Sequence, residues 1–104
     1  MNIKLLNDEL PVRSEWISFT EFVDLTGAHP TRVGELIELG WIEPKVTSRE
    51  EYLFRAIDIY RLRKLERICR DFELSIVGGS IIVDLLGRIE ALERKLQEME
   101  RLVK

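Results

Sequence analysis

From Ser18 onward the apolar positions recur at helical spacing in four stretches, interrupted once by a short segment of alternating polarity. Ser18, Phe19, Thr20 and Glu21 have the S-x-x-E spacing of a capping box, in which a hydroxyl and a carboxylate satisfy backbone N–H groups at a helix start. Phe19, Phe22, Val23 and Leu25 supply the apolar face of that helix, and Gly27 ends it because glycine takes positive φ without a Cβ clash. Pro30 suits the first position of a second helix, where its missing N–H has no intrahelical role. Val33, Leu36, Ile37 and Leu39 give that helix its apolar stripe, and Gly40 closes it. Two short helices joined by about three or four residues make a helix-turn-helix.

Trp41, Ile42, Glu43 and Pro44 lead out of this unit. Val46, Tyr52 and Phe54, set around the polar run Thr47–Glu51, predict a small β-hairpin wing. Arg55 to Phe72 predicts a long amphipathic helix. Its apolar stripe is Ile59, Leu62, Leu65, Ile68, Cys69 and Phe72, with Arg61, Lys64, Arg67 and Arg70 mostly on the wet face. Ser75 caps a last helix that runs nearly to the end of the sequence. Before Ser18 the pattern is weak: Ile3–Leu6 and Val12–Ile17 are candidate short strands, with Pro11 in a loose connection between them.

Within the last helix, Ile82, Leu85, Ile89, Leu92, Leu96, Met99 and Val103 alternate spacings of three and four, a heptad seam held for three repeats. Such a stripe either packs back on its own domain or pairs with a second copy, and the strict spacing over a charged terminal segment favours a homodimer. With Ile82 at position a, Arg88 and Lys95 fall at g while Glu93 and Glu100 fall at e. Rim pairs of that kind contribute roughly 0.2–1 kcal/mol each.

Composition narrows the function. The chain has 104 residues, 45% apolar and 34% charged, the proportions of one globular domain with little room for a large enzyme cleft. One cysteine excludes an intramolecular disulfide and fits a cytoplasmic protein. The most apolar stretch, Leu74–Leu86, is broken by Gly78, Gly79, Ser80 and Asp84 and is too short and polar to span a bilayer; no signal peptide is visible. Net charge is −3, where a nucleic-acid binder usually carries a basic surplus. The deficit is localised: residues 19–54 carry a net −4, residues 55–74 a net +2, and residues 75–104 balance.

Candidate chemistry is sparse. With one histidine and one cysteine, no metal site is expected. His29 before Pro30 reads as a helix cap or surface residue, and Cys69 as a small core residue. Gly78-Gly79 lacks the lysine and hydroxyl of a phosphate loop. Trp41 is placed to plug the joint between the second helix and the wing, and Trp16 lies in the arm before the first helix. No nucleophile stands with a base and an orienting group, so neither an enzyme nor a cofactor is expected.

Ser18-Phe19-Thr20-Glu21-Phe22 with Thr26-Gly27, then Glu38-Leu39-Gly40-Trp41-Ile42-Glu43-Pro44, then a wing ending near Tyr52-Leu53-Phe54, resemble the MerR-type regulators over about three-quarters of the chain. The DNA-binding members carry an arginine and a tyrosine on the second helix and an arginine in the wing. Here Gly34, Glu35 and Leu53 stand at those places. A recognition helix lies beside phosphates, where Arg32 helps but Glu35 and Glu38 are repelled. The sequence is closer in these features to the chaperone-modulator (CbpM-like) branch, which shares the start motif, the threonine–glycine, the leucine–glycine exit to glutamate–proline and a heptad-bearing last helix. Leu74 with Gly78, then Ile89 and Leu92, match that helix in spacing.

The resemblance implies a mainly α fold: a MerR-like winged helix-turn-helix with a small β-hairpin wing and a long C-terminal coiled-coil helix. It divides the chain into an N-terminal arm (1–17), the winged domain with its long third helix (18–74) and a dimerisation helix (75–104). It implies a partner, the J-domain of a DnaJ-class (CbpA-type) co-chaperone, whose basic helical surface an acidic one could mask. Candidate partner-binding residues are Arg32, Glu35, Glu38, Glu43, Glu50 and Glu51; the candidate dimer interface is the seam from Ile82 to Val103. The competing reading is a MerR-type transcription regulator, with Arg55 and the basic third helix on phosphates. Orientation of the paired helices stays open: the rim charges lean parallel, whereas MerR-type proteins pair antiparallel.

Overall fold

In the computed structural model, which describes residues 16–103, the element order is β1 (Trp16–Ser18), α1 (Phe19–Thr26), α2 (Pro30–Glu38), β2 (Lys45–Val46), β3 (Tyr52–Arg55), α3 (Ile57–Phe72) and α4 (Ile76–Val103). The fold is mainly α with a small antiparallel sheet in the order β1-β3-β2. The expected strand at Ile3–Leu6 lies outside the described residues, as does most of Val12–Ile17. The end of that second segment is β1, which pairs with the wing strand β3 in the register Ile17 to Phe54. The described chain forms two compact units whose boundary falls inside α3, between Lys64 and Leu65.

The first unit is assembled by its caps and by Phe54. Ser18 Oγ accepts from the Glu21 N–H at 3.2 Å, and Gly27 ends α1 in the left-handed conformation, its N–H donating to Val23 O at 2.9 Å. After the three-residue turn, His29 caps α2 by accepting the Thr31 N–H on Nδ1 at 3.1 Å. Phe54 is fully buried on the middle strand, stacked on Phe22 with ring centroids 4.4 Å apart; Phe19 and Tyr52 flank it at 6.0 and 6.3 Å. Ile17, Val33, Leu36, Ile42 and Leu62 complete this core. Leu39, placed on the α2 stripe by its spacing, is half exposed, because α2 ends at Glu38 and Leu39 is already its C-cap.

Arg55 belongs to β3, and α3 starts two residues later. Arg61, expected on the wet face, is half-buried at its margin. Its guanidinium lies 4.0 Å over the Trp41 ring, and Nη1 donates to Trp41 O at 3.1 Å and to Asp58 Oδ1 at 2.8 Å. The guanidinium covers the indole while its Nη1 serves both acceptors, so a buried carboxylate (Asp58, 4% exposed) and a loop carbonyl are satisfied together. Trp41 is therefore held by α3 as well as by its own N–H, which donates to Leu36 O at 3.0 Å.

In the second unit, α4 approaches α3 closely. A Cβ built on Gly79 would collide with Cys69 Sγ and lie 2.9 Å from Leu65 Cδ1. Gly79, Ser80 and Val83 form the buried face of α4, and Leu65, Ile68 and Cys69 that of α3. Ser75 caps α4 as its spacing predicts, its Oγ accepting the Gly78 N–H at 3.2 Å. Phe72, expected on the α3 stripe, is 69% exposed: it is the last helical residue, and the chain turns away at Glu73 with φ 54°. That turn is closed by the Leu74 N–H donating to Cys69 O at 3.0 Å, and Glu73 occupies the position where glycine normally ends a helix. Relieving the left-handed strain with Glu73→Gly is expected to stabilise the chain by about 0.5–1 kcal/mol net of glycine's greater unfolded entropy, a rise of a few degrees in Tm. Thermal unfolding followed by circular dichroism checks this, and an unchanged or lowered Tm refutes it.

Candidate protein-binding surface

Burial on α2 decides which of its side chains can meet a partner. Val33 and Leu36 are buried and Ile37 half-buried, so at 3.6 residues per turn the opposite face is Thr31, Gly34, Glu35 and Glu38, all exposed. Glu35 and Glu38 stand one turn apart on this face. Arg32 sits at its margin, half-buried. The face that meets DNA in a winged helix-turn-helix regulator is here a pair of carboxylates around a glycine whose Cβ position is open space.

The other candidate acids lie on different elements. Glu43 is exposed in the loop after α2. Glu50 and Glu51 are exposed in the wing turn, which Thr47 organises: its Oγ1 accepts the N–H groups of Arg49 and Glu51 at 3.3 and 3.1 Å, and Glu50 takes φ 62°. Glu35 and Glu38 are thus brought together on one helix face, and Glu50 and Glu51 on one turn. Leu53 pairs with both neighbouring strands, opposite Ser18 and Lys45, so the place of a wing arginine is taken by a half-buried apolar side chain in mid-sheet. Trp16 is half-buried in the same sheet, with Lys45 Nζ 5.6 Å from its ring centroid.

The seam of α4 is exposed along its length, from Ile82 at 36% to Val103 at 86%. Its residues lie opposite the face that carries Gly79, Ser80 and Val83. The heptad spacing missed three further exposed apolar residues of α4, Val77, Ile81 and Leu102. Ile81 and Leu102 both fall at position g, so reading the flanks as well as the seam would have found them. Among the described residues, no three of His, Cys, Asp and Glu are grouped to hold a metal, and no helix is long and apolar enough to cross a membrane.

The family model for MerR HTH family regulatory proteins matches residues 17–101. The chain belongs to this family. Within it, the chain is similar to the chaperone modulatory protein CbpM of Coxiella burnetii, in the strains Dugway 5J108-111, RSA 331 / Henzerling II and CbuG_Q212. Each is 34% identical over 67 residues, which cover 64% of this chain and 63% of the relative. The similarity thus spans just under two-thirds of those relatives' length. In this chain the capped helix-turn-helix, the wing and the long last helix come with two carboxylates, Glu35 and Glu38, on the exposed face of α2.

Proposed function

We propose that this MerR-family protein is a homodimeric chaperone modulator of the cytoplasm, which binds the J-domain of a DnaJ-class, CbpA-type co-chaperone and inhibits it by masking. The observation that carries this reading is the exposed acidic face of α2, Glu35 with Glu38, on the helix that a DNA-binding relative would place against phosphates. Carboxylates there oppose DNA and attract a basic helix, so the same scaffold is turned from nucleic acid toward protein. Similarity to proteins named chaperone modulatory protein supports the direction. The exposed seam of α4 supports the dimer. No catalytic step is required, since occupying the J-domain surface is itself the inhibition.

Isothermal titration of the protein with a CbpA-type J-domain at low salt tests the reading, and absence of binding at micromolar concentrations sinks it. Charge reversal at Glu35→Lys and Glu38→Lys together is expected to weaken that binding at least about tenfold, roughly 1.4 kcal/mol, while leaving Tm within a degree or two because both side chains are exposed. Unchanged affinity would move the contact to another face.

The second reading, a DNA-binding transcription regulator, is favoured by the family match over residues 17–101. Fluorescence anisotropy with duplex DNA across a salt series separates the two, since phosphate contacts give affinity that falls steeply with salt.

A further inference from the structure

Basic charge on α3 is ordered into a stripe. The buried side of this helix is Asp58, Leu62, Leu65, Ile68 and Cys69. At 3.6 residues per turn the opposite side carries Tyr60, Arg63, Arg67 and Arg70, and all four are exposed. Tyr60 is 63% exposed, and Ile57, a turn earlier at the margin of this face, is 51% exposed. All lie on one continuous helix, so their spacing is set by the helix alone, about 15 Å from Tyr60 to Arg70 at 1.5 Å per residue. We infer that this face of α3 is a second docking surface, one that takes an acidic amphipathic helix of another protein. It is separate from Glu35 and Glu38 and selects the opposite charge, so it stands or falls independently of the J-domain reading.

Charge sets the sign of the partner. Arg63, Lys64, Arg67 and Arg70 stand on or beside the stripe, against Glu66 and Asp71 at its edges. Glu66 is half-buried, and Asp71 lies 3.8 Å from Arg70 Nε with both side chains more than half exposed, so that pair offsets little. Arg63 and Arg67 are four residues apart and Arg67 and Arg70 three apart, spacings at which like charges destabilise their own helix. Carboxylates laid along the stripe relieve that repulsion. A partner helix with acids at three- and four-residue spacing follows the three arginines over two turns and brings an apolar side chain to Tyr60. Two observations favour a protein over the phosphate backbone of a nucleic acid. Tyr60 and Ile57 continue the cationic face as exposed apolar surface, which side chains can cover and phosphates cannot. Residues 19–54 carry a net −4, which repels a long polyanion but leaves a short acidic segment confined to α3 attracted.

Fluorescence anisotropy of the full chain with a labelled helical peptide of glutamate, leucine and alanine, at low salt, tests this. The peptide is expected to bind, and Arg63→Gln with Arg67→Gln together to weaken it about tenfold. Tyr60→Ala is expected to weaken it about threefold, and Glu35→Lys with Glu38→Lys not to weaken it at all. No binding, or binding that the double arginine variant leaves unchanged, overturns the inference. Tighter binding of duplex DNA or of phosphatidylglycerol vesicles through the same arginines overturns the choice of a protein partner. A second measurement needs no variant: in the unsubstituted chain, amide shifts on adding the peptide are expected along α3 from Ile57 to Asp71, and shifts confined to other elements overturn the assignment. The J-domain titration is a separate readout, so failure here leaves the acidic face of α2 untouched, and failure there leaves this surface standing.

Discussion

Phe54→Ala is expected to cost about 3–5 kcal/mol and to leave the winged unit largely unfolded at room temperature. The residue is fully buried on the middle strand of the sheet. Its ring is stacked on Phe22 at 4.4 Å, flanked by Phe19 and Tyr52, and opposite Ile17 across the strand pair. Removing it takes the common contact from Phe19 and Phe22 of α1 and from Tyr52 of its own strand, and a cavity of that size in so small a core cannot be closed by relaxation. A small domain has only about 5–15 kcal/mol in total, so the loss is a large part of it. Urea unfolding followed by tryptophan fluorescence checks this, because Trp16 and Trp41 both lie in this unit. Phe54→Leu is expected to recover more than half of the loss, and a cost under about 1 kcal/mol for the alanine variant would contradict the packing argument.

Leu92→Asp is expected to convert the proposed dimer into a monomer at micromolar concentrations. Leu92 is at the middle d position of the seam and is 59% exposed in the single chain. In a paired seam the substitution buries a carboxylate from each copy in one layer, and each loses hydration without gaining a cation, a cost of several kcal/mol. The distal half of α4, which is exposed on every side in the single chain, then loses the packing that keeps an isolated helix formed, so helical content falls with the dimer. Light scattering and circular dichroism on the same samples read both effects. Arg94→Asp, at the outward position f of the same turn, is the control and is expected to stay dimeric. A Leu92→Asp chain that remains dimeric would place the self-association elsewhere.

Much of the architecture was legible because it is written locally. The Ser18 N-cap, Gly27, Pro30 and Ser75 each act within a few residues of themselves, and every one holds its expected place. The hairpin was legible from Val46, Tyr52 and Phe54 around a polar turn. The acidic character of α2 was legible as charge, but whether Glu35 and Glu38 face solvent depended on Val33 and Leu36 turning inward. The misplacements share one cause. Periodicity ranks a side chain by its own polarity and spacing, so it put Arg61 in water and Phe72 and Leu39 in the core. Their environments come from residues far along the chain, or from where a helix stops.

The sequence by itself determined the helix starts and stops, the wing, the acid at α2 and the seven-residue seam, since caps, turns and periods are properties of neighbouring residues. Only the tertiary structure decided that Trp16–Ser18 joins the wing as a third strand, that Arg61 packs on Trp41 and Asp58, and that Gly79 admits α4 against Cys69 and Leu65. Each of those is a contact between segments distant in sequence, where fit is a matter of shape and of shared hydrogen bonds that no single stretch of chain encodes.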